Sequence, residues 1–477
     1  MSSVRSNFFI VSLAAGFVLS LVTDWYSEIS IFLTLISVFA ILDKLGKGLV
    51  LRELVALHTI FICLLMPTVG YDIYNRDNFL SRVFLRFMLV PEDQYFSYVI
   101  PAVCAFSIAM CYPIKKSNSV LDEGNSFKHL LQLVRNELKT NTRTGIVIVV
   151  TGVIMFFFLE YVPDVVKFAI TLLFFSSFAG ILYIFYCQPF PTKNLVLGLF
   201  IVFVLGLTVQ SGVFTIVVYM GITIFSYLFL GKKYALGKKF LVFVIGVFFL
   251  FITQNVKTAY RDITWEGNHQ DDKTSTFMDV IFDRVTNIEK LVSSDGFFPV
   301  YMRTNQGYNI SRVMQRIPSQ QDFDGGNHLL VTSASALVPR FLWPDKPEAG
   351  GKESMKYFTG VDITGYSTNV SPIGEAYGSF GTTGGIAFMF IFGLFIRWVY
   401  KRIFVIAQNL PLLILWMPVL FYQVTFCMET DSLQALNALL KGAFFLWLLY
   451  KIIPSWFGNV VKKSNGLRSP FRERLPA

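Results

Sequence analysis

The sequence predicts an all-α integral membrane protein: a polytopic bundle of about twelve transmembrane helices carrying one large, partly helical outer loop. Three observations lead there. Of 477 residues, 54% are hydrophobic and only 15% charged, against about 25% charged in soluble domains. Apolar runs of lipid-crossing length recur along the chain. Lysine and arginine collect in alternate connectors, which is the pattern of a threaded membrane chain.

The spans follow in order. A run at roughly 8–22 comes after Arg5 and meets Asp24 and Trp25 in place of a small-residue cleavage site, so it reads as a retained span. Further runs lie at roughly 27–42, 54–70, 95–114, 145–162, 165–187, 194–211, 213–230 and 239–254. Residues 1–254 therefore form an N-terminal bundle of about nine spans. Residues 255–380 form one long loop, far beyond connector length. Three more spans, at roughly 381–397, 403–426 and 433–450, occupy 381–453, and a basic tail fills 454–477.

The connectors orient the bundle. Lys44, Lys47 and Arg52, then Lys115 to Arg143, then Lys232 to Lys239, then Arg397 to Arg402, and finally the tail are all basic. The intervening connectors are acidic or neutral: Asp24 and Glu28, Asp164, Gln210 to Gly212, Glu429 and Asp431. Both termini are then cytoplasmic, with 255–380 on the opposite side. The net charge of +10 is a topology signal and a contact for anionic lipid. It is scattered over short connectors and forms no single basic face, which argues against nucleic acid as a partner. The five cysteines fall in or beside the spans and none lies in the long loop, so they read as small apolar side chains, with no disulfide framework or thiolate metal site.

Two outer segments carry the polar chemistry. In 71–94, Arg76, Arg82 and Arg86 alternate with Phe79, Leu80, Val83, Phe84 and Phe87 at spacings of three and four, predicting a helix at the interface. Its cations serve either as headgroup anchors or as a basic wall around an anionic lipid-linked ligand. Within 255–380, helical periodicity marks 276–292 and 307–317. Gly325-Gly326 interrupts the pattern, and 327–338 is apolar enough for a short helix dipping into the interface. Lys441 sits near the centre of the last span, where a charge costs about 2.5–3.5 kcal/mol and usually faces a cavity. His58 and Gln210 are weaker instances of the same kind.

The run Val338-Pro339-Arg340-Phe341-Leu342-Trp343-Pro344-Asp345-Lys346-Pro347, followed by Ser371-Pro372-Ile373-Gly374-Glu375-Ala376-Tyr377, resembles the Wzy-type oligosaccharide repeat-unit polymerases that build O-antigen, capsule and exopolysaccharide. Arg261, in Lys257-Thr258-Ala259-Tyr260-Arg261, is similar to the basic end of the span leading into that family's large loop. The topology resembles the family over the whole chain, the motifs only over about 250–400. One departure is Gln210-Ser211-Gly212, where the family often has a Ser-Arg pair.

The resemblance implies a membrane glycosyltransferase-like bundle in a bacterial inner membrane, with the long loop periplasmic. It implies substrates that are undecaprenyl-diphosphate-linked oligosaccharides, with membrane lipid and a chain-length regulator protein as further partners. Diphosphate is a good leaving group, so the chemistry needs cations for developing charge and a base for the incoming hydroxyl. Arg340 then stands as a catalytic cation, with Arg261, Arg312, Lys346 and Lys441 holding diphosphate or lipid. Planar guanidinium forks suit phosphate oxygens, and the prolines around Arg340 and Lys346 restrict the chain. Glu375 is the expected base and His328 the second choice. The expected reaction is metal-independent and uses no cofactor. Alternatives are an O-antigen ligase and a transporter or flippase of lipid-linked sugars. The latter would call for paired halves, and the spans carry no internal repeat.

Overall fold

A computed structural model describes residues 2–116, 119–140, 142–211, 215–261, 273–287, 289, 293–338, 342–347, 350–363 and 368–458. Helices dominate. The N-terminal part runs through α1 (Ser2–Val22), α2 (Tyr26–Lys44), α3 (Leu51–Ile60), a π-helical turn (Phe61–Leu65), α4 (Met66–Asp72), the single turn α5 (Phe79–Val83) and α6 (Glu92–Cys111). A two-stranded hairpin, β1 (Lys115–Lys116) with β2 (Ser119–Val120), is the sheet present among the described residues. Then come α7 (Gly124–Thr140), α8 (Thr142–Phe158), α9 (Asp164–Tyr186), α10 (Lys193–Ser211), α11 (Thr215–Phe229) and α12 (Leu236–Arg261). The long loop contributes α13 (Lys273–Thr286), α14 (Ser294–Thr304), α15 (Gly307–Arg316), α16 (Asn327–Leu337) and α17 (Lys352–Thr359). The chain closes with α18 (Ser371–Ala407), a 3-10 stretch (Pro411–Trp416), α19 (Met417–Thr425) and α20 (Ser432–Ile452).

Seven helices are long and apolar enough to cross a membrane, or eight if the bent α7–α8 pair counts as one span. Large apolar side chains stay exposed on their outer faces: Leu35 and Ile391, for example, at 64% and 62%. Water would penalise such faces and lipid does not. The chain is a multi-pass membrane protein. Shorter apolar helices, Phe8–Val22, Lys193–Leu207 and Met220–Phe229, lie where the sequence predicts further spans.

The bundle interior is aromatic and hydrogen-bonded. Trp416 Nε1 donates to Tyr183 Oη at 2.8 Å, and Tyr183 donates to the Trp456 carbonyl at 2.7 Å. Tyr227 donates to the Ile414 carbonyl at 2.7 Å. Buried hydroxyls are thereby satisfied, as an apolar interior requires. The α8–α9 pair approaches closely because Gly152 faces Ser177 and Gly180 faces Val149, with no room for a Cβ at either site.

Two expectations need correction. The stripe at 71–94 does not form one helix: α5 ends after one turn, Leu85 adopts a left-handed φ of 51°, and the Arg86 N–H donates back to the Ser81 carbonyl. Such a reversal is a helix stop, and it sends the following chain beneath α14 and α15. The span expected at 403–426 is interrupted, since α18 continues to Ala407 and the next apolar stretch starts at Pro411. Lys44 and Arg52, which flank the first basic connector, are buried. Lys44 Nζ lies 2.9 Å from both Glu53 and Asp122, while Arg52 lies 2.6 Å from Asp122 and donates to the Met110 and Tyr112 carbonyls at 2.9 Å.

Residue 381, where the third region of the chain was expected to begin, is a break inside α18. Gly381 has φ 67° and ψ −163°, a region open to glycine alone, and the Phe323 ring lies 3.3 Å from where a Cβ would stand. Gly381→Ala is expected to cost about 1–3 kcal/mol, read as a lower melting temperature in detergent. Unchanged melting would mean the break tolerates a side chain.

Candidate functional site

The α14–α15 corner sets the site. Asn305 and Gln306 join the two helices, and the Gln306 N–H donates to the Ile62 carbonyl at 3.1 Å, in the π-helical turn. A π turn shifts the carbonyl register of a helix and commonly accompanies function. Gly307 seats against Pro67 and Tyr95, so the loop's polar corner packs into the apolar stretch Leu51–Asp72.

A buried polar layer surrounds this corner. Gln306 Nε2 and Asn309 Nδ2 donate to the Asn369 carbonyl at 2.6 and 2.9 Å. Asn369 Nδ2 donates to Asp431 at 3.0 Å, and Asp431 caps α20 through the Gln434 N–H. Asn305 Oδ1 is buried with no hydrogen-bond partner. In a membrane bundle such polar content is costly and marks function by default.

On one flank of the corner stands an acid–imidazole–guanidinium group. Glu429 Oε1 lies 3.0 Å from His58 Nε2, and its Oε2 accepts from Arg303 at 2.7 Å. His58 is held edge-on against Phe426, ring centroids 4.8 Å apart. On the other flank, two guanidiniums meet one ring. Arg86 and Arg312 lie 4.7 and 5.0 Å from the Tyr308 ring centroid, and Arg312 donates to the Tyr308 hydroxyl at 2.5 Å. Neither forms an ion pair with a carboxylate among the described residues. Both are half-buried, and both guanidiniums are held against one aromatic ring.

The expected site residues divide around these groups. Arg340 lies outside the described residues. Arg261 ends α12, and its side chain lies outside them too. Arg312 is one of the two cations on Tyr308. Lys346 caps α16, donating to the Ser335 and Val338 carbonyls at 2.8 and 2.6 Å, which suits the negative end of a helix. Lys441 Nζ lies 4.6 Å from the Phe168 ring centroid on α9, away from the corner.

Glu375 is fully buried on the outer segment of α18. Its Oε2 accepts from the Ser432 N–H at 2.9 Å and hydroxyl at 2.5 Å, and its Oε1 from Ser354 at 3.3 Å. This is the arrangement of a latch tying α18 to α17 and α20. Glu375→Ala is expected to cost about 1–3 kcal/mol, because it leaves the buried Ser432 donors unpaired, seen as a lower detergent melting temperature. An unshifted transition would remove the latch.

His328 stacks on Tyr357 with centroids 4.3 Å apart, and its backbone N–H is capped by Asp324 at 2.9 Å. Burial pushes its imidazole below the usual histidine range, opposed by Asp324, Glu353 and Asp431, so the ring is neutral at pH 7. Its Nε2 is buried with no hydrogen-bond partner.

Sequence reasoning passed over Glu429 and Arg303 as site residues and gave His58 little weight. The available signals were an ionisable residue eighth in the 22-residue stretch Leu51–Asp72 and the run Thr304-Asn305-Gln306-Gly307-Tyr308-Asn309, rich in side-chain amides.

A family model described as a domain of unknown function (DUF8712) matches residues 7–404, and the chain belongs to that family. Neither a curated protein nor a solved structure matches it.

Proposed function

We propose that the chain is a membrane glycosyltransferase that polymerises undecaprenyl-diphosphate-linked oligosaccharide repeat units into a surface polysaccharide. In this reading it sits in a bacterial inner membrane with about twelve spans, cytoplasmic termini and residues 255–380 in the periplasm. The observation that carries it is the Arg86–Tyr308–Arg312 group: two fixed guanidiniums, without a carboxylate partner among the described residues, beside a buried polar layer. A diphosphate leaving group gathers negative charge as its glycosyl bond breaks. Preorganised guanidinium donors stabilise that charge more than the ground state. The half-buried setting strengthens the effect, because less water competes.

Polymer transfer on one face also accounts for the long loop, whose corner closes over the site. A chain-length regulator would meet the exposed part of that loop. The test is purified protein in lipid vesicles supplied with lipid-linked repeat units extracted from the source cells. A glycan ladder on the carrier lipid is expected. Movement of single units across the vesicle wall without a ladder would replace the transferase with a flippase.

A further inference from the structure

We propose that His58, oriented by Glu429, is the base that takes the proton from the incoming sugar hydroxyl. The inference rests on the glycosyl-transfer reading above and adds to it the residue that activates the acceptor.

The tautomer follows from the geometry. An ionised carboxylate only accepts hydrogen bonds, so at 3.0 Å from Glu429 Oε1 the His58 Nε2 must carry its hydrogen. In the neutral ring the lone pair is then on Nδ1. Nδ1 has no hydrogen-bond partner among the described residues, and the His58 side chain keeps 17% of its surface exposed. Glu429 is itself fixed through its second oxygen by Arg303 at 2.7 Å. The contact with Phe426 limits rotation of the ring. An imidazole whose far nitrogen is held by a carboxylate is oriented and stabilised when it gains a proton.

Placement supports the assignment. Arg303 closes α14, and Tyr308 and Arg312 lie in α15, so base and cation pair flank the same two residues, Asn305 and Gln306. The other base candidates are less accessible: Glu375 has both oxygens engaged, and the His328 Nε2 is buried. In the reaction the acceptor O–H bond breaks and its proton passes to His58 Nδ1. The oxygen bonds to the anomeric carbon of the donor while the carbon–oxygen bond to diphosphate breaks. That electron pair stays on the diphosphate oxygen, facing Arg86 and Arg312. The imidazolium rests against Glu429 until it returns its proton to water.

His58→Gln retains a donor toward Glu429 but cannot accept the proton. Its turnover is expected to fall at least about 100-fold, with binding of undecaprenyl diphosphate and detergent melting unchanged. In His58→Gly, added imidazole is expected to restore part of the turnover. Glu429→Gln, which changes a positioning residue, should lower kcat while leaving KM for the lipid-linked donor unaltered. Wild-type turnover in His58→Gln overturns the assignment. So does a loss matched by weakened undecaprenyl diphosphate binding and not relieved by imidazole. If the wild-type protein forms no ladder, the transferase reading itself falls; if wild type and His58→Gln both form ladders, only the base assignment falls.

Discussion

Removing both guanidiniums from Tyr308, by Arg86→Ala with Arg312→Ala, is expected to abolish polymer while leaving single lipid-linked units intact. Loss of one preorganised donor to a developing oxyanion typically lowers turnover about 10²–10³-fold. Two such losses at one leaving group bring the rate beneath ladder detection. The paired lysine replacements keep the charge but lose the planar fork, so an intermediate rate is expected. Undecaprenyl diphosphate binding should weaken together with turnover, because the same groups meet the ground-state phosphates. A double alanine variant with normal melting and a normal ladder would exclude this cluster from the chemistry.

The second large effect lies at the opposite end of α3. Asp122 is 1% exposed and receives both Lys44 and Arg52. Asp122→Ala leaves two buried cations with Glu53 as their remaining carboxylate partner. Removing one member of a buried charge network costs about 3–5 kcal/mol. The expected result is sharply reduced folded protein, or a transition many degrees lower in detergent.

The pH dependence of that network has a definite sign. Burial alone pushes the Asp122 carboxyl up, but Arg52 and Lys44 outweigh it and bring it down to about 2. A free aspartate titrates near about 3.9. The stabilisation is therefore complete above the unfolded value and is lost as pH falls from about 4 toward 2. Wild-type melting should drop through this window, and Asp122→Asn should flatten that part of the curve. An identical acid limb in the two proteins would show that another group governs it.

The helices were legible in the sequence wherever one periodicity decided the outcome. The patterns at 307–317 and 327–338 correspond to α15 and α16, and that at 276–292 to α13 as far as Thr286, with 288 and 290–292 outside the described residues. Turns set by a single backbone angle were not legible. Nothing in Phe84-Leu85-Arg86 announces a left-handed leucine, a conformation its Cβ disfavours. The site was legible only in fragments. Arg86 and Arg312 each appeared as basic residues, but they come from separate segments brought together at Tyr308. His58 was visible as an ionisable residue in an apolar run, yet its partner is 371 positions away. Lys44 and Arg52 flank the connector where local sequence placed them, but the carboxylates that bury them, Glu53 and Asp122, became visible only in the tertiary structure.

The insertion of Asn305 and Gln306 beside Ile62 has a consequence for biogenesis. Arg303 emerges from the ribosome 126 residues before Glu429, and Gln306 emerges 63 residues before Asn369. The corner can dock on Ile62 and Pro67 early, but its bonds to Asn369 and Glu429 form only after those later segments have been made. Completion of the corner thus depends on the last helices to be synthesised, and a nascent protein halted before them lacks the Glu429 and Asp431 ends of its polar layer.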